Sequence, residues 1–411
     1  MQTAEFLHLS PESRLLIQCA RTRFLAFHAD QVANLLAQGI HWPSFLRLTQ
    51  VHGATPLVSR NLRAVHSKSI PPEYLESLQN YSKTNAVLTQ FLTTELVEVI
   101  EAFQAEKILV VPFKGPTLAL SAYGALHLRE FGDLDLCVRQ KDVPVARRIL
   151  ESREYQPKDE TSRKESDEDL RKRVFHTFVN RNGMVHIDLQ WNMTGQPYYS
   201  FVLDQPIFWE DLQTVCVAGK SIPTFNPENL LIILCVHGSK HVWECLKWIC
   251  DVAELLISHS RLNWDVVVSR SSNLRVRRMV FMGAYLAHWY FQAPLPPDLQ
   301  RTLLSDPDIP SLAMCIPDDL LGKPQHGVTE RYSGGFYFLL KDSGSERWKY
   351  GLKLCQTTNA IFTTPLPWFR SQRTLQVMFW MTFPFRMAIR NLIRFFGLRE
   401  PASKLVASWL K

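Results

Sequence analysis

The sequence predicts an α+β fold, with short strands gathered between about residues 106 and 222 and helical segments before and after them. Three observations carry this. The run Asp133-Leu-Asp-Leu-Cys-Val138 alternates polar and apolar residues with the period of a strand. Val174–Asn180 and His186–Trp191 read as two further strands joined through Arg181-Asn-Gly183, and Asn-Gly is a strong hairpin signal. The flanks repeat apolar residues at helical spacing.

Residues 1–105 read as an N-terminal helical domain. Helices are expected at 11–20, at 30–39 (where Gly39 takes the position just past the end), at 42–52 and at 81–105. Residues 106–222 form the core. A short apolar strand, Glu106–Phe113, is broken by Lys114-Gly-Pro116 and followed by a short helix ending near Gly124. After the Asp133 strand, residues 143–152 read as an amphipathic helix opened by Asp142 and Pro144. The stretch 157–173, crowded with both signs of charge, reads as a solvated loop. Residues 223–300 form a second helical domain, opened by Asn226 as N-cap and Pro227 at the first helical position, with a further helix over 273–292. Residues 301–411 read as an irregular segment and a tail.

From Pro365 that tail carries eight Lys or Arg and a single acid, Glu400. A basic amphipathic helix of this kind lies on an anionic membrane surface or packs on the domain with its arginines in water. Both readings stay open.

With 411 residues and 46% apolar content, a sizeable core can be buried, which excludes a disordered chain. A net charge of +7 suits anionic ligands but is small for this length; with no aromatic-basic strand motif, nucleic acid is not favoured. The eight cysteines include no Cys-x-x-Cys pair and lie mostly in apolar runs. They read as buried core thiols of a cytoplasmic protein, not a disulfide frame. No signal peptide is evident, and the longest charge-free window, 279–297, is too short in its apolar part to span a membrane.

The chemistry centres on Asp133 and Asp135. Residues i and i+2 of a strand project together, so two carboxylates share one side while Leu134, Leu136 and Val138 take the other. Such a pair repels unless a positive charge sits between its members. Hard oxygen ligands of this kind suit Mg²⁺ completed by substrate phosphates. Asp188, flanked by Ile187 and Leu189, alternates in the same way and could lie on a neighbouring strand. Three converging acids would make a two-metal phosphoryl-transfer site, with ions about 3.5–4 Å apart. Lys114 and Gly115 follow a strand and precede a helix, a natural place for an anion. Arg129 has two readings, a phosphate contact or a structural salt bridge. His237 and His241 share a helix face; Lys240 and His241 are substrate-contact candidates, and Asp251 is placed to pair with Lys247.

Taken as an ordered set, Lys114-Gly-Pro-Thr-Leu-Ala, Tyr123-Gly, Arg129 with Phe131-Gly-Asp-Leu-Asp-Leu, His186-Ile-Asp-Leu-Gln-Trp, and His237-Gly-Ser-Lys-His-Val-Trp with Lys247-Trp-Ile-Cys-Asp251 resemble the uncharacterised nucleotidyltransferase family of the polymerase-beta-like superfamily. The resemblance spans roughly residues 10–300. It implies a small mixed sheet as the nucleotidyltransferase core, with helical domains around it. It further implies transfer of an NMP group from an NTP, dependent on Mg²⁺ or Mn²⁺, with Asp133, Asp135 and Asp188 as the metal-binding and catalytic acids. Lys114, Gly115, Arg129, Lys240 and His241 would serve the nucleotide. The wider superfamily opens its site with Gly-Ser, where this chain has Lys114-Gly115. The acceptor is not legible in the sequence: a small molecule, a peptide, a protein hydroxyl and an RNA end stay open, the last not favoured. The alternative is a catalytically inactive nucleotide-binding or accessory protein of the same fold.

Overall fold

The computed structural model describes residues 9–65, 69–158, 174–193, 203–306, 308–313, 316 and 336–350. The chain begins with five helices: α1 (Pro11–Cys19), α2 (Ala26–Ala37), α3 (Trp42–Val51), α4 (Thr55–Val65) and α5 (Pro72–Ala105). Ser10 caps α1, its hydroxyl accepting from the Ser13 amide at 3.2 Å. The long α5 starts nine residues before the stretch expected from periodicity, at a proline suited to a first turn.

The sheet follows. Its strands are β1 (Val110–Pro112), β2 (Asp133–Val138), β3 (Tyr155–Pro157), β4 (Phe175–Asn180) and β5 (His186–Gln190), with α6 (Gly115–Ser121) between β1 and β2 and α7 (Val143–Ser152) between β2 and β3. The order across the sheet is β1-β2-β5-β4-β3. β2 and β5 pair parallel and the other neighbours antiparallel, so the sheet is mixed as the resemblance implied. The Asn182-Gly183 turn joins β4 to β5 through residues 181–185, with Gly183 at φ +74° and the Asn180 side chain accepting from the Met184 and Val185 amides at 3.0 Å each.

One face of this sheet is the core. Leu134, Leu136, Val138, Phe178, Ile187 and Leu189 pack there against Leu92, Leu96, Val99, Ile100 and Phe103 of α5 and Ala146, Ile149 and Leu150 of α7. At roughly 1.5–3 kcal/mol per buried side chain, this layer anchors β2 and β5 from behind. The opposite face is left for polar residues.

Beyond the sheet come α8 (Pro206–Trp209), then a separate hairpin of β6 (Leu212–Val217) and β7 (Lys220–Phe225). The helices α9 (Pro227–Lys240), α10 (Leu246–Ser258), α11 (Trp264–Asn273), α12 (Arg277–Phe291) and α13 (Pro297–Ser305) follow, with further helical residues at 309–313, 336–339 and 344–350. Asn226 caps α9 as expected, its side chain accepting from Asn229 at 2.8 Å. The helix expected over 273–292 starts later, because Arg275 takes a left-handed φ of +58° between α11 and α12. α13 corrects the expectation of irregular structure beyond 300, since it runs as a regular helix to Ser305. Cys216 is exposed on β6 and departs from the expected buried thiols; Cys19, Cys137, Cys235 and Cys250 are buried.

Residues to Arg347 belong to one compact unit, and Trp348–Lys411 form a second. The charged stretch from 159 and the basic tail from Pro365 lie outside the described residues. Among the described residues, no helix is long and apolar enough to cross a membrane.

Candidate active site

The parallel pairing of β2 with β5 sets Asp133 beside His186, Asp135 beside Asp188 and Cys137 beside Gln190. β4 extends the rows, with Thr177 opposite Asp188 and Phe175 opposite Gln190. Since Leu134, Leu136, Ile187 and Leu189 enter the core, the period of two turns the three aspartates together onto the other face. They form a gradient of access: Asp133 is exposed, Asp188 half-buried and Asp135 only 6% exposed.

Each inner acid has its own partners. Gln190 Nε2 donates to Asp135 Oδ1 at 2.7 Å, and Thr177 Oγ1 donates to Asp188 Oδ1 at 2.6 Å. Lys114 Nζ lies 3.4 Å from Asp135 Oδ2 and 3.5 Å from Oδ1. The Asp135 carboxyl is raised to about 6 by a balance in which burial lifts it most, Lys114 pulls it down, and the charges of Asp133 and Asp188 push it up. Burial also raises Asp188, against the Thr177 hydrogen bond that holds it down, with Asp133 raising it further.

Lys114 reaches this place because β1 runs antiparallel beside β2 and the chain turns at once into α6. The turn needs Gly115: its φ is +55°, a left-handed conformation that a side chain disfavours. Thr117 Oγ1 fixes the turn by donating to the Lys114 carbonyl at 2.9 Å.

The end of α9 and the start of α10 supply the groups facing the acids. Lys114 Nζ lies 3.3 Å from both ring nitrogens of His237. The His237 ring sits 4.8 Å, centre to centre, from His241, and Trp248 meets His237 edge to face at 5.4 Å and lies tilted over His241 at 4.9 Å. Burial first, then the neighbouring lysines, hold His237 well below the usual histidine range and bring His241 down to about 4. Both imidazoles are therefore neutral at pH 7, and the positive charge comes from lysines. Burial and Lys114 lower Lys240, while Asp188 and Asp135 raise it, and its ammonium sits 5.6 Å over the Phe175 ring.

Arg129 takes the structural of its two readings. Its Nε and Nη2 donate to Asp251 Oδ1 and Oδ2 at 2.7 and 2.8 Å, and Tyr123 donates to the same Oδ1 at 2.7 Å. This pair ties the turn into β2 to α10. Asp251 thus pairs with Arg129 and not with Lys247, because burial places it against the sheet side of its helix.

Of the eight candidate residues, the fold brings Asp135, Asp188, Lys114, Lys240 and His241 around one space with Asp133 at its edge, while Gly115 makes the turn and Arg129 braces it from behind. Sequence reasoning missed Gln190, Thr177 and Phe175. Gln190 was within reach, standing two positions after Asp188 on the same strand face; Thr177 and Phe175 needed the β4–β5 register. Among the described residues, no three His, Cys, Asp or Glu side chains form a ready metal cage. The donor set still fits Mg²⁺, which takes one or two carboxylates and fills its remaining positions with water and substrate phosphates.

A family model described as uncharacterised nucleotidyltransferase matches residues 38–292. The chain belongs to this nucleotidyltransferase family. The family region holds every strand of the mixed sheet, all three aspartates and the α9–α10 wall, and leaves α1, α2 and α13 outside. No curated protein and no solved structure matches the chain.

Proposed function

We propose that this nucleotidyltransferase moves an NMP group from an NTP to a hydroxyl acceptor and releases pyrophosphate. The observation that supports it best is the row of carboxylates on one sheet face set against a wall whose positive charge comes from lysines. Asp133, Asp135 and Asp188 would hold divalent ions, Mg²⁺ or Mn²⁺, which when bound neutralise phosphate charge and acidify a hydroxyl.

The chain's own groups do the rest. Lys114 and Lys240 meet oxygens of the triphosphate as point charges. His241, neutral, serves as a hydrogen-bond partner to the nucleotide. Asp188 accepts the proton of the attacking hydroxyl, because its raised affinity for a proton and its half-buried position suit a general base. The acceptor oxygen bonds to the α-phosphorus as the bond to the β-phosphate oxygen breaks, and the lysines face the charge that collects on pyrophosphate.

The acceptor is a small molecule, a peptide or a protein hydroxyl. Nucleic acid is not favoured at a net charge of +7. The free buried thiols suit a cytoplasmic setting, and the basic tail is a candidate for peripheral membrane contact.

Calorimetry of each NTP with and without Mg²⁺, on wild type and on Asp133→Ala/Asp135→Ala, tests this reading. Metal-dependent binding that the double variant loses supports it. Wild type that binds no NTP with metal refutes it. Metal-dependent binding without turnover on any acceptor class favours the inactive nucleotide-binding or accessory role.

A further inference from the structure

Asp135 is already fully engaged. Gln190 holds Oδ1 by a direct hydrogen bond of 2.7 Å, while Lys114 Nζ stands 3.4 and 3.5 Å from the two oxygens. Lys114 is itself 7% exposed, and its other close neighbours are the neutral ring of His237 and the Phe113 ring, 5.2 Å from the ammonium. Among the described residues, the carboxylate in ion-pair contact with its ammonium is Asp135, which the proposed function gives to a metal. A lysine and a divalent cation cannot both sit against that carboxylate without strong repulsion in a buried setting.

We infer that Lys114 is the built-in counter-ion of Asp135, and that a divalent cation binds by exchanging places with its ammonium. The inference rests on the proposed metal-binding role of the acids and deepens it. Gln190 does not have to leave, because it is neutral and its contact is on one oxygen. The longer distances to Lys114 mark it as the group that is released. Its flexible stem then carries the charge away from Asp135 and toward the phosphates of the nucleotide. The lysine that departs from the superfamily's Gly-Ser thus keeps the buried acid from standing unpaired when the site is empty of ligands.

The test uses Mn²⁺ alone, with no nucleotide, at pH 8 so that proton competition at Asp135 is small. An opposite charge at this range shifts a carboxylate's preference by one unit or more, so Lys114→Met binds Mn²⁺ roughly tenfold or more tightly than wild type. Equal or weaker Mn²⁺ binding by the folded variant, with wild type still binding Mn²⁺ and nucleotide, overturns the exchange and leaves the proposed function standing. No Mn²⁺ binding by either folded protein overturns both. Wild type supplies a second readout that needs no variant. On saturation with Mn²⁺, acylation of Lys114 by an amine reagent, followed by mass spectrometry, rises severalfold relative to exposed Lys220. Unchanged labelling overturns the exchange.

Discussion

Replacing Asp251 by alanine leaves the Arg129 guanidinium charged and unpaired where only 4% of the residue is exposed, beside a position that was itself 1% exposed. Burial works against that charge, and Asp251 more than offsets it, holding Arg129 above the ordinary arginine range. Three hydrogen bonds end on this carboxylate: two from Arg129 at 2.7 and 2.8 Å and one from Tyr123 at 2.7 Å. Breaking a buried pair from one side costs about 3–5 kcal/mol, and a stranded hydroxyl adds about 1 kcal/mol or more. The expectation is a loss of about 4–6 kcal/mol, read as a lower urea midpoint at unchanged slope. The double variant Arg129→Met/Asp251→Leu removes both charges together and recovers most of that loss, to within about 1–2 kcal/mol of wild type. It also keeps metal-dependent nucleotide binding, because Arg129 braces the turn into β2 from behind. A single variant that loses under about 1 kcal/mol, or a double variant no more stable than the single, refutes this account of the pair.

Gly238→Ala sets a methyl group 2.3 Å from the buried Trp243 ring, and a loss of at least about 2 kcal/mol is expected by thermal or chemical denaturation. Burial, and then Arg21, bring His28 down to about 4 from an ordinary 6.5, so the unfolded chain takes the proton first. The stability this provides is complete above about pH 6.5 and is lost as pH falls toward 4, about 2–3 kcal/mol in all. His28→Gln should flatten the stability profile across that window, and an unchanged slope would count against the assignment. Thr177→Val removes the hydrogen bond that restrains Asp188, so Mn²⁺ binding on acidification should fail at a pH up to about one unit higher. Asp188→Asn should lower turnover by about 10²–10³-fold with nucleotide binding less affected, measured once an acceptor supports turnover.

The alternation of Asp133 and Asp135 with leucines announced both the strand and the sharing of a face, because period two is a local property of the chain. The strand bearing Asp188 was readable for the same reason, as were the α9 cap at Asn226 and the break at Lys114-Gly115. Register is not local. That Asp135 stands directly across from Asp188, with Thr177 on its far side, follows from a parallel pairing whose members are remote in sequence. The partner of Arg129 was hidden likewise: Lys247 is one turn from Asp251, but tertiary packing gives that carboxylate to an arginine from another element. The β6–β7 hairpin escaped notice because its turn, Ala218-Gly219, uses a left-handed non-glycine residue at φ +48° and so lacks the usual Asn-Gly signature.

The parallel join of β2 to β5 has a kinetic corollary. A parallel neighbour cannot be delivered by a tight turn, so this seam joins strands that have α7, β3 and β4 between them in sequence, a long-range closure of the kind that slows folding. A chain arrested earlier would carry Asp133 and Asp135 but lack Asp188, Gln190 and Thr177 alongside. On the proposed function, nucleotide affinity would be a readout of topological completion: a misassembled chain would hold much of its helix yet remain blind to nucleotide.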